Sequence, residues 1–234
     1  IVAILITAII AASGCADTPP QEGIRLVREG YLTIGTDAAF PPFEIITATD
    51  EFYGFDIALG RAIANELGLE AEFVNADWAG IIPALQAGKF DMIMSAMTIR
   101  EDRKAQVNFS DPYFLSELCL TVLPGSPITS VDDLEGKIIG VQLGTTSDFY
   151  VEDLGIPERY IRRYPQAPTA FLDLKNRNID AVINDYPVSK QIVDNEPGTF
   201  SIVQTGLTEE YYGIAVAKHN VELLEQINAA LAKL

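Results

Sequence analysis

Short apolar runs alternate with amphipathic segments along the chain from Tyr31 onward. The run YLTIGT predicts a strand, and DIALGRAIANEL places apolar residues at helical spacing, with Asp56 able to cap its start and Gly68 its end. The runs EAEFV and FDMIM predict two more strands, on either side of the helix WAGIIPALQAG. This alternation is typical of βαβ units, so the pattern predicts an α/β protein with parallel sheets.

The same alternation resumes after Pro124. KIIGVQ predicts a strand, a Gly-Thr-Thr-Ser loop leads into a helix from about Asp148, and the helix AFLDLKNRN is followed by the strand IDAVIN. The segments Ala84–Ser95 and Asp173–Asn184 share a Leu, a polar link and an Asp-containing apolar run, which indicates two lobes of related plan. Two β-rich runs, ELCLTVLPGSP and EYYGIAVAK, could carry the chain between the lobes and back.

The N-terminal segment IVAILITAIIAASG carries no charge and ends in small residues before Cys15, which is typical of an export signal. It is short for a membrane span, and a buried strand or helix is the alternative. The turn-rich ADTPPQEG that follows predicts a linker. We therefore expect a signal peptide at 1–14 and an N-terminal linker at 15–28. Lobe 1 should comprise 29–117 and 212–234, and lobe 2 should comprise 118–211, with a hinge segment at each end.

Composition disfavours several classes of function. The chain has 16 Lys and Arg against 33 Asp and Glu, a net charge of -17, and no basic cluster, so nucleic acid is disfavoured as a partner. The only histidine, His219, stands in a polar turn, and no metal-ligand cluster or Ser-His-Asp set can be assembled without it. The sequence therefore favours binding over catalysis and predicts no cofactor and no metal. Cys119, in the apolar run LCLTVL, is expected in the core.

Polar residues follow the predicted strands. In open parallel sheets, ligands bind beyond the carboxyl ends of the strands. The residues at these positions are small or polar: Asp37, Ser95, 144–147 and 184–185. Ser95 and Thr98 would bring hydroxyls to such a site, and Arg103 would bring a planar cation suited to a carboxylate. The alternative, equally open from this stretch alone, is that the hydroxyls cap a helix and Arg103 lies on the surface.

The loop before the predicted helix at Asp148 has free backbone N–H groups that favour an anion. A Walker-type loop needs a Lys beside its hydroxyl residue, and the chain has Thr146-Ser147-Asp148, so nucleotide binding is disfavoured. An ordinary helix cap is the other possibility. Phe40 and Trp78 stand near the candidate polar positions and could either sandwich a ligand's side chain or belong to the core.

Taken together, six motifs resemble the extracytoplasmic polar amino-acid-binding proteins of ABC importers, solute-binding protein family 3. They are GTDAAFPPFE, GFDIALGRAIANELG, WAGIIPALQAGKFDMIMSAMTIREDR, FSDPYF, GVQLGTTSD and IDAVINDYP. The resemblance covers Tyr31 to the end. It implies a two-lobed periplasmic-binding-protein (type II) fold with two hinge crossings, a monomer in solution, and an ABC permease as membrane partner. It also implies that the basic start of the signal precedes Ile1 and that a further helix follows Leu234.

The group Ala12-Ser13-Gly14-Cys15 resembles a bacterial lipobox, although Ala12 stands where Leu is commoner. The resemblance implies that Cys15 is lipidated and anchors an extracytoplasmic protein to the membrane. Cys119 would then be the only thiol, and no intrachain disulfide could form.

The resemblance also implies nine ligand-binding residues: Asp37, Phe40, Trp78, Ser95, Ala96, Thr98, Arg103, Thr146 and Asp185. Arg103 and the backbone at Thr146 would hold the α-carboxylate of an amino acid. Asp185, the Thr98 hydroxyl and the main chain near Ser95 would hold its α-ammonium.

Three of the remaining four residues would meet the ligand's side chain. By the resemblance, Phe40 and Trp78 would sandwich it, and Asp37 would meet its far polar end or help the ammonium. Ala96 stands where relatives have Ser. A basic amino acid is favoured slightly, because Asp37 and the aromatic rings suit a cation, and glutamine comes next.

Two other functions remain open. Cyclohexadienyl dehydratase-like enzymes resemble this family in fold and could use an acid such as Glu44 or Glu210. A ligand-sensing surface lipoprotein that acts on a signalling partner is the third possibility.

Overall fold

The computed structural model describes residues 24–234. The predicted signal peptide and the predicted lipidation site at Cys15 lie outside the described residues. No helix within 24–234 is long and apolar enough to cross a membrane.

The described chain forms fifteen strands and seven α-helices. The strands are β1 (Tyr31–Thr36), β2 (Ala39–Phe40), β3 (Glu44–Ile46), β4 (Phe52–Tyr53), β5 (Glu70–Asn75), β6 (Met92–Ile93), β7 (Val107–Phe109), β8 (Phe114–Ser116), β9 (Leu118–Val122), β10 (Ile139–Gln142), β11 (Ile161–Tyr164), β12 (Ala181–Asp185), β13 (Ser201–Gln204), β14 (Glu210–Tyr212) and β15 (Ala215–Ala217). The helices are α1 (Phe55–Glu66), α2 (Trp78–Gln86), α3 (Glu101–Lys104), α4 (Thr146–Asp153), α5 (Ala167–Lys175), α6 (Tyr186–Asn195) and α7 (Val221–Leu231).

Two five-stranded sheets organise these elements into two α/β lobes. The first has the order β5-β1-β6-β15-β7, and the second has the order β11-β10-β12-β9-β13. In each sheet three neighbouring strands are parallel, as the βαβ pattern predicts, and the other two join in antiparallel fashion. The α/β class and the two-lobed plan are therefore confirmed.

Two crossings connect the lobes. β8 leads directly into β9 of the second sheet, and β14 leads back into β15 of the first. β8 and β14 pair with each other in an antiparallel two-stranded sheet, with Glu210 opposite Ser116. The run EYYGIAVAK is thus two strands, one in the crossing and one in the first sheet.

Apolar side chains cover both faces of each large sheet. In the first lobe, Ile34 and Met92 pack on one face with α1 and α7, whereas Ile93 and Val107 pack on the other with α2. In the second lobe, Val141 and α4 lie in one core and α5 in another. This two-sided burial explains why the strands read as continuous apolar runs. Cys119 is fully buried, and its predicted place in the core is confirmed.

Two local predictions need correction. Asp56 does not cap α1: Gly54 takes the N-cap position, and the buried Asp56 carboxylate instead accepts hydrogen bonds from the Ala96 N–H at 2.7 Å and the Tyr113 hydroxyl at 2.8 Å. The predicted strand FDMIM shrinks to Met92–Ile93. Its acidic residue, Asp91, binds the N–H of Thr33 and of Val27 across the sheet rather than standing within a strand.

Residues 24–28, which the sequence places in the linker, contact the first lobe. Ile24 and Leu26 pack against its core, and Arg28 pairs with Glu72 at 2.8 Å. The chain is thus in contact with lobe 1 from the first described residue.

Candidate ligand-binding site

A cavity of about 310 Å³ lies where segments of both lobes meet. Twelve residues line it: Asp37, Phe40, Glu44, Trp78, Ser95, Ala96, Thr98, Arg103, Gln142, Thr145, Thr146 and Asp185. All nine residues named from the sequence are among them, so the structure brings together groups that are scattered along the chain. Glu44, Gln142 and Thr145 complete the lining.

The topology explains this convergence. Asp37 directly follows β1 and Ser95 follows β6 after one residue, while Gln142 and Asp185 are the last residues of β10 and β12. These are the carboxyl ends of parallel strands, where an α/β sheet opens into a crevice. Each lobe therefore presents its polar strand ends to the same cavity.

Arg103 lies on the short helix α3 and is 4% exposed. Its guanidinium donates to the Thr98 carbonyl at 2.8 Å and to the Gly144 carbonyl at 3.3 Å, and its centre lies 5.0 Å from the centroid of the Trp78 ring. Burial and the nearby Arg100 lower the pKa of Arg103 to about 10, so it stays protonated at neutral pH.

No carboxylate of residues 24–234 forms an ion pair with Arg103. Its protein partners are neutral carbonyl oxygens, and its charge faces the cavity without a direct counterion. A buried cation in this state favours a ligand carboxylate.

Asp185 supplies negative charge from the second lobe. It is 4% exposed, and its Oδ1 accepts a hydrogen bond from the Tyr212 hydroxyl. Burial, with the charge of Glu210, raises the pKa of Asp185 to about 7, although Tyr212 and Arg103 act in the opposite direction. An ammonium group placed beside Asp185 would stabilise its ionised form.

Asp37 and Gln142 meet across the cleft. The Gln142 amide donates to Asp37 Oδ2 at 2.7 Å and to the Pro165 carbonyl at 3.1 Å. Burial raises the pKa of Asp37 to about 6, the Gln142 hydrogen bond opposes this, and the charge of Asp77 adds to it.

Glu44 is fully buried beside the cavity. Its Oε1 accepts from the Ser95 hydroxyl at 2.9 Å, while its Oε2 has no hydrogen-bond partner among the described residues. Burial and the neighbouring Asp56 raise the pKa of Glu44 well above its ordinary value. The carboxyl group therefore holds its proton more tightly than a solvated glutamate does.

The hydroxyls predicted at the cleft rim already have protein partners. Ser95 accepts from the Asp37 N–H at 2.9 Å and donates to Glu44, and the Thr98 hydroxyl donates to Glu210 Oε2 at 2.7 Å. Ala96 lies beside them with a positive φ of 44°, and its N–H is committed to Asp56. The chain thus turns sharply here and fixes the direction of each polar group.

The two candidate aromatic residues line the cavity from the first lobe. Trp78 is half-buried, and its indole N–H donates to the Gly144 carbonyl of the second lobe at 3.0 Å. The Phe40 side chain is 9% exposed and packs with Val188 and Tyr212. Both rings therefore combine the packing role and the cavity-facing position that the sequence left open.

The described residues that line the cavity include no histidine and no cysteine. Within 24–234, no group of three or more His, Cys, Asp and Glu residues could hold a metal ion. His219 is exposed in the turn before α7 and does not line the cavity.

Sequence reasoning named Glu44 only as a possible acid, included Thr145 only within the candidate loop 144–147, and missed Gln142. A signal existed for Gln142, because it ends the predicted strand KIIGVQ, just as Asp185 ends its own strand. For Thr145, the hydroxyl bonds back to the Gln142 carbonyl at 2.7 Å, which places it at the tight turn leading into α4.

Two α/β lobes meet at a buried cavity that is lined, among the described residues, by one cationic side chain and by acidic side chains at other points. This arrangement defines a solute-binding protein. A family model of bacterial extracellular solute-binding proteins, family 3, matches residues 32–234, and the chain belongs to this family.

Its relatives include binding proteins for amino acids. The chain is similar to a probable histidine-binding protein of Neisseria gonorrhoeae, 33% identical over 100% of this chain and 89% of the relative. It is similar to ABC transporter arginine-binding protein 1 of Escherichia coli strain K12, 35% identical over 86% of this chain and 84% of the relative. A solved structure of an ancestral arginine-binding protein bound to arginine has a TM-score of 0.83 and 44% identity, covering 87% of this chain and 92% of that one.

Proposed function

We propose that this protein is the extracytoplasmic binding component of an ABC importer and that its ligand is a basic amino acid. The observation that carries the proposal is the charge distribution around the cavity. Arg103 is the one cationic side chain among the described residues that line it, whereas Asp37, Glu44 and Asp185 are acidic. A ligand with one carboxylate and two cationic groups complements this set.

In the proposed complex, Arg103 and the free N–H groups at the start of α4, near Thr146, hold the α-carboxylate. Asp185 holds the α-ammonium, with the Thr98 hydroxyl oxygen as a further acceptor. Charge-assisted hydrogen bonds contribute about 1.5 to 3 kcal/mol each, so three or four of them are enough for micromolar binding after the cost of closure.

The side chain of the ligand extends toward Asp37 and Glu44, between the rings of Phe40 and Trp78. Asp37, with its raised pKa, gains a counterion when a guanidinium or ammonium group arrives. Similarity to histidine- and arginine-binding proteins supports the same ligand class.

Glutamine is the second candidate. The Asp37–Gln142 pair, joined at 2.7 Å, offers a carboxylate and an amide that could both bond to a ligand amide. A glutamine ligand, however, leaves the acidic end of the cavity without a cation.

A thermal-shift screen of the twenty amino acids tests the proposal, because a ligand that binds the folded state raises the melting temperature. We expect arginine, lysine or histidine to give the largest shift, with a dissociation constant then measured by calorimetry. No shift with any basic amino acid would contradict the proposed ligand class. Conversion of prephenate or arogenate by the purified protein would instead favour the dehydratase-like alternative.

The remaining parts of the proposal concern the bounds of the lobes, the oligomeric state, the membrane partner and the lipid anchor. Residues 29–117 with 212–234 form lobe 1, residues 118–211 form lobe 2, and a monomer delivers the ligand to a membrane permease. Lipidation of Cys15 anchors the protein to the outer face of the membrane. Mass spectrometry of the membrane fraction, compared with a Cys15→Ser variant of the full-length protein, tests the anchor.

A further inference from the structure

Glu210 is a buried carboxylate in the crossing strand β14, 4% exposed, and it does not line the cavity. Three hydroxyls donate to it. Its Oε2 accepts from Thr98 at 2.7 Å and from Thr146 at 3.0 Å, and its Oε1 accepts from Thr208 at 3.1 Å.

The two donors to Oε2 come from different lobes. Thr98 follows β6 of the first sheet, whereas Thr146 is the first residue of α4, which packs on the second. Backbone contacts tie the Thr98 segment to β14 itself, since Thr98 bridges Tyr212 and the Ile99 N–H donates to the Tyr211 carbonyl at 2.8 Å. Opening of the cleft would separate Thr98 from Thr146 and so break the bridge that Glu210 Oε2 makes between them.

The other oxygen of Glu210 is anchored within the crossing. The Thr208 hydroxyl that donates to Oε1 also accepts from the Leu118 N–H at 3.0 Å, at the start of β9. Glu210 thus keeps its position through Oε1 while Oε2 bonds to both lobes.

The same contacts set the polarity of the cavity wall. A hydroxyl has one proton to donate, and Thr98 and Thr146 both direct theirs to Glu210. In any contact with a ligand these two oxygens can then act only as acceptors, which suits the ammonium that Thr98 is proposed to hold.

We propose that Glu210 is a positioning residue that fastens Thr98 to Thr146 when the lobes close, and so sets the lifetime of the ligand complex. It touches no ligand. It orients the hydroxyls of two residues that line the cavity and holds the first turn of α4 through Thr146. This inference rests on the proposed function, because it assigns a role in retaining the ligand of that site.

The test compares Glu210→Gln with Glu209→Gln in the same chain. Glu209 is the adjacent residue, is exposed, and accepts a hydrogen bond from the Tyr211 hydroxyl, so its variant is a matched control. Trp78 is the only Trp in the chain and donates across the cleft to Gly144, so its fluorescence reports closure in stopped-flow measurements with L-arginine as the probe.

We expect Glu210→Gln to raise the dissociation rate of L-arginine at least about tenfold and to change the association rate by less than about threefold, because the bond is made only on closure. Thr146→Val should raise the dissociation rate of L-arginine by a similar factor. In the double variant Glu210→Gln/Thr146→Val, the change in the activation free energy of dissociation should be smaller than the sum of the changes in the two single variants. If Glu210 had a purely structural role, Glu210→Gln would lower the melting temperature of the ligand-free protein. L-Arginine would then dissociate from the Glu210→Gln and Glu209→Gln variants at the same rate.

Two results would overturn the inference: equal dissociation rates in the Glu210→Gln and Glu209→Gln variants, or full additivity with Thr146→Val. Thr146→Val keeps the charge of Glu210 and decides the question if Glu210→Gln does not fold. If the unmodified protein binds no amino acid, the proposed function fails, and small-angle scattering of the ligand-free proteins decides the positioning role. A larger radius of gyration in Thr146→Val than in Glu209→Gln then supports it, and equal radii contradict it.

Discussion

Arg103 combines deep burial with the absence of a carboxylate partner in the described chain, and this combination supports its proposed role as a binding group. Removing a cation that holds a ligand carboxylate costs a charge-assisted bond. We expect Arg103→Ala or Asp185→Ala to weaken binding of L-arginine at least about tenfold, or about 1.4 kcal/mol. Calorimetric titration measures the change. Lys104→Ala is the control, since Lys104 lies on the same helix but pairs with Glu101 at the surface. Unchanged titrations in the first two variants would refute their roles.

Asp37 separates the two candidate ligand classes. In Asp37→Asn the acidic end of the cavity loses a charge but keeps its size and its contact with Gln142. We expect arginine affinity to fall by about tenfold or more and glutamine affinity to change by less than about threefold. Asp77→Asn is the matched control, because Asp77 is exposed and acts on Asp37 only through its charge. Equal losses for both ligands would argue against a cationic side chain at Asp37.

The raised pKa values of Asp185, about 7, and of Asp37, about 6, predict that binding depends on pH. Both groups must be ionised to hold a cationic ligand. Protons compete with the ligand below these values, so affinity falls as pH falls. We expect the dissociation constant for L-arginine to rise as the pH falls from 8 to 5. The rise should be up to about tenfold per pH unit for each group that must lose a proton. A constant value over this range would contradict ionisation of these carboxylates on binding.

At the scale of elements, helix α1 and the hairpin of β2 and β3 bring two carboxyl groups together inside the first lobe. Burial is the main cause that raises the pKa of Asp56 to about 6. The pKa of Glu44 is raised by burial and by the neighbouring Asp56. The native state therefore binds more protons than the unfolded chain above pH 4. It follows that this pair lowers the free energy of unfolding progressively as pH rises from about 4 through 6.

Glu44→Gln tests this effect, because the amide can still accept from Ser95 and carries no charge. We expect the variant to gain stability relative to the unmodified ligand-free protein at pH 7.5, and to gain less or nothing at pH 5. Urea unfolding at the two pH values gives the difference. Glu51→Gln, at an exposed position in the same lobe, serves as the control. A difference that does not change with pH would show that the pair does not titrate as described.

The positions of most elements could be predicted from the chain, but their partners could not. The apolar runs marked β1, β10 and β12 correctly, because buried parallel strands need a mainly apolar sequence. Nothing in LCLTVL indicates that β9 runs antiparallel between β12 and β13. That direction depends on where the crossing delivers the chain, which is a contact between distant segments.

The same holds for the site: the positions of several of its residues could be predicted from the sequence, but their partners could not. Asp37, Ser95 and Asp185 could be found because each lies at or near a strand end, and the sheet geometry brings such ends together. The partners of these groups could not be found in that way. That Gln142 reaches Asp37, and that Glu44 and Asp56 lie side by side, depends on packing between segments far apart in sequence.

At the scale of the whole molecule, the cleft is closed by a small number of direct contacts between the lobes. Gln142 bonds to Asp37, Trp78 and Arg103 both bond to Gly144, and Glu210 in the crossing joins Thr98 to Thr146. These bonds lie around the cavity, and beside them an apolar cluster packs Phe40 of the first lobe against Ala167 and Val188 of the second. A ligand that neutralises Arg103 and Asp185 together adds its own contacts to both sides, and so shifts the equilibrium toward closure.

The ladder between β8 and β14 also limits how the lobes can move. Since the two crossings are hydrogen-bonded to each other, we expect them to bend together as a single ribbon. We expect such a ribbon to favour opening and closing of the cleft over independent movement of the two crossings. A membrane receptor that grips both lobes could therefore read the angle between them as a two-valued signal, vacant or loaded.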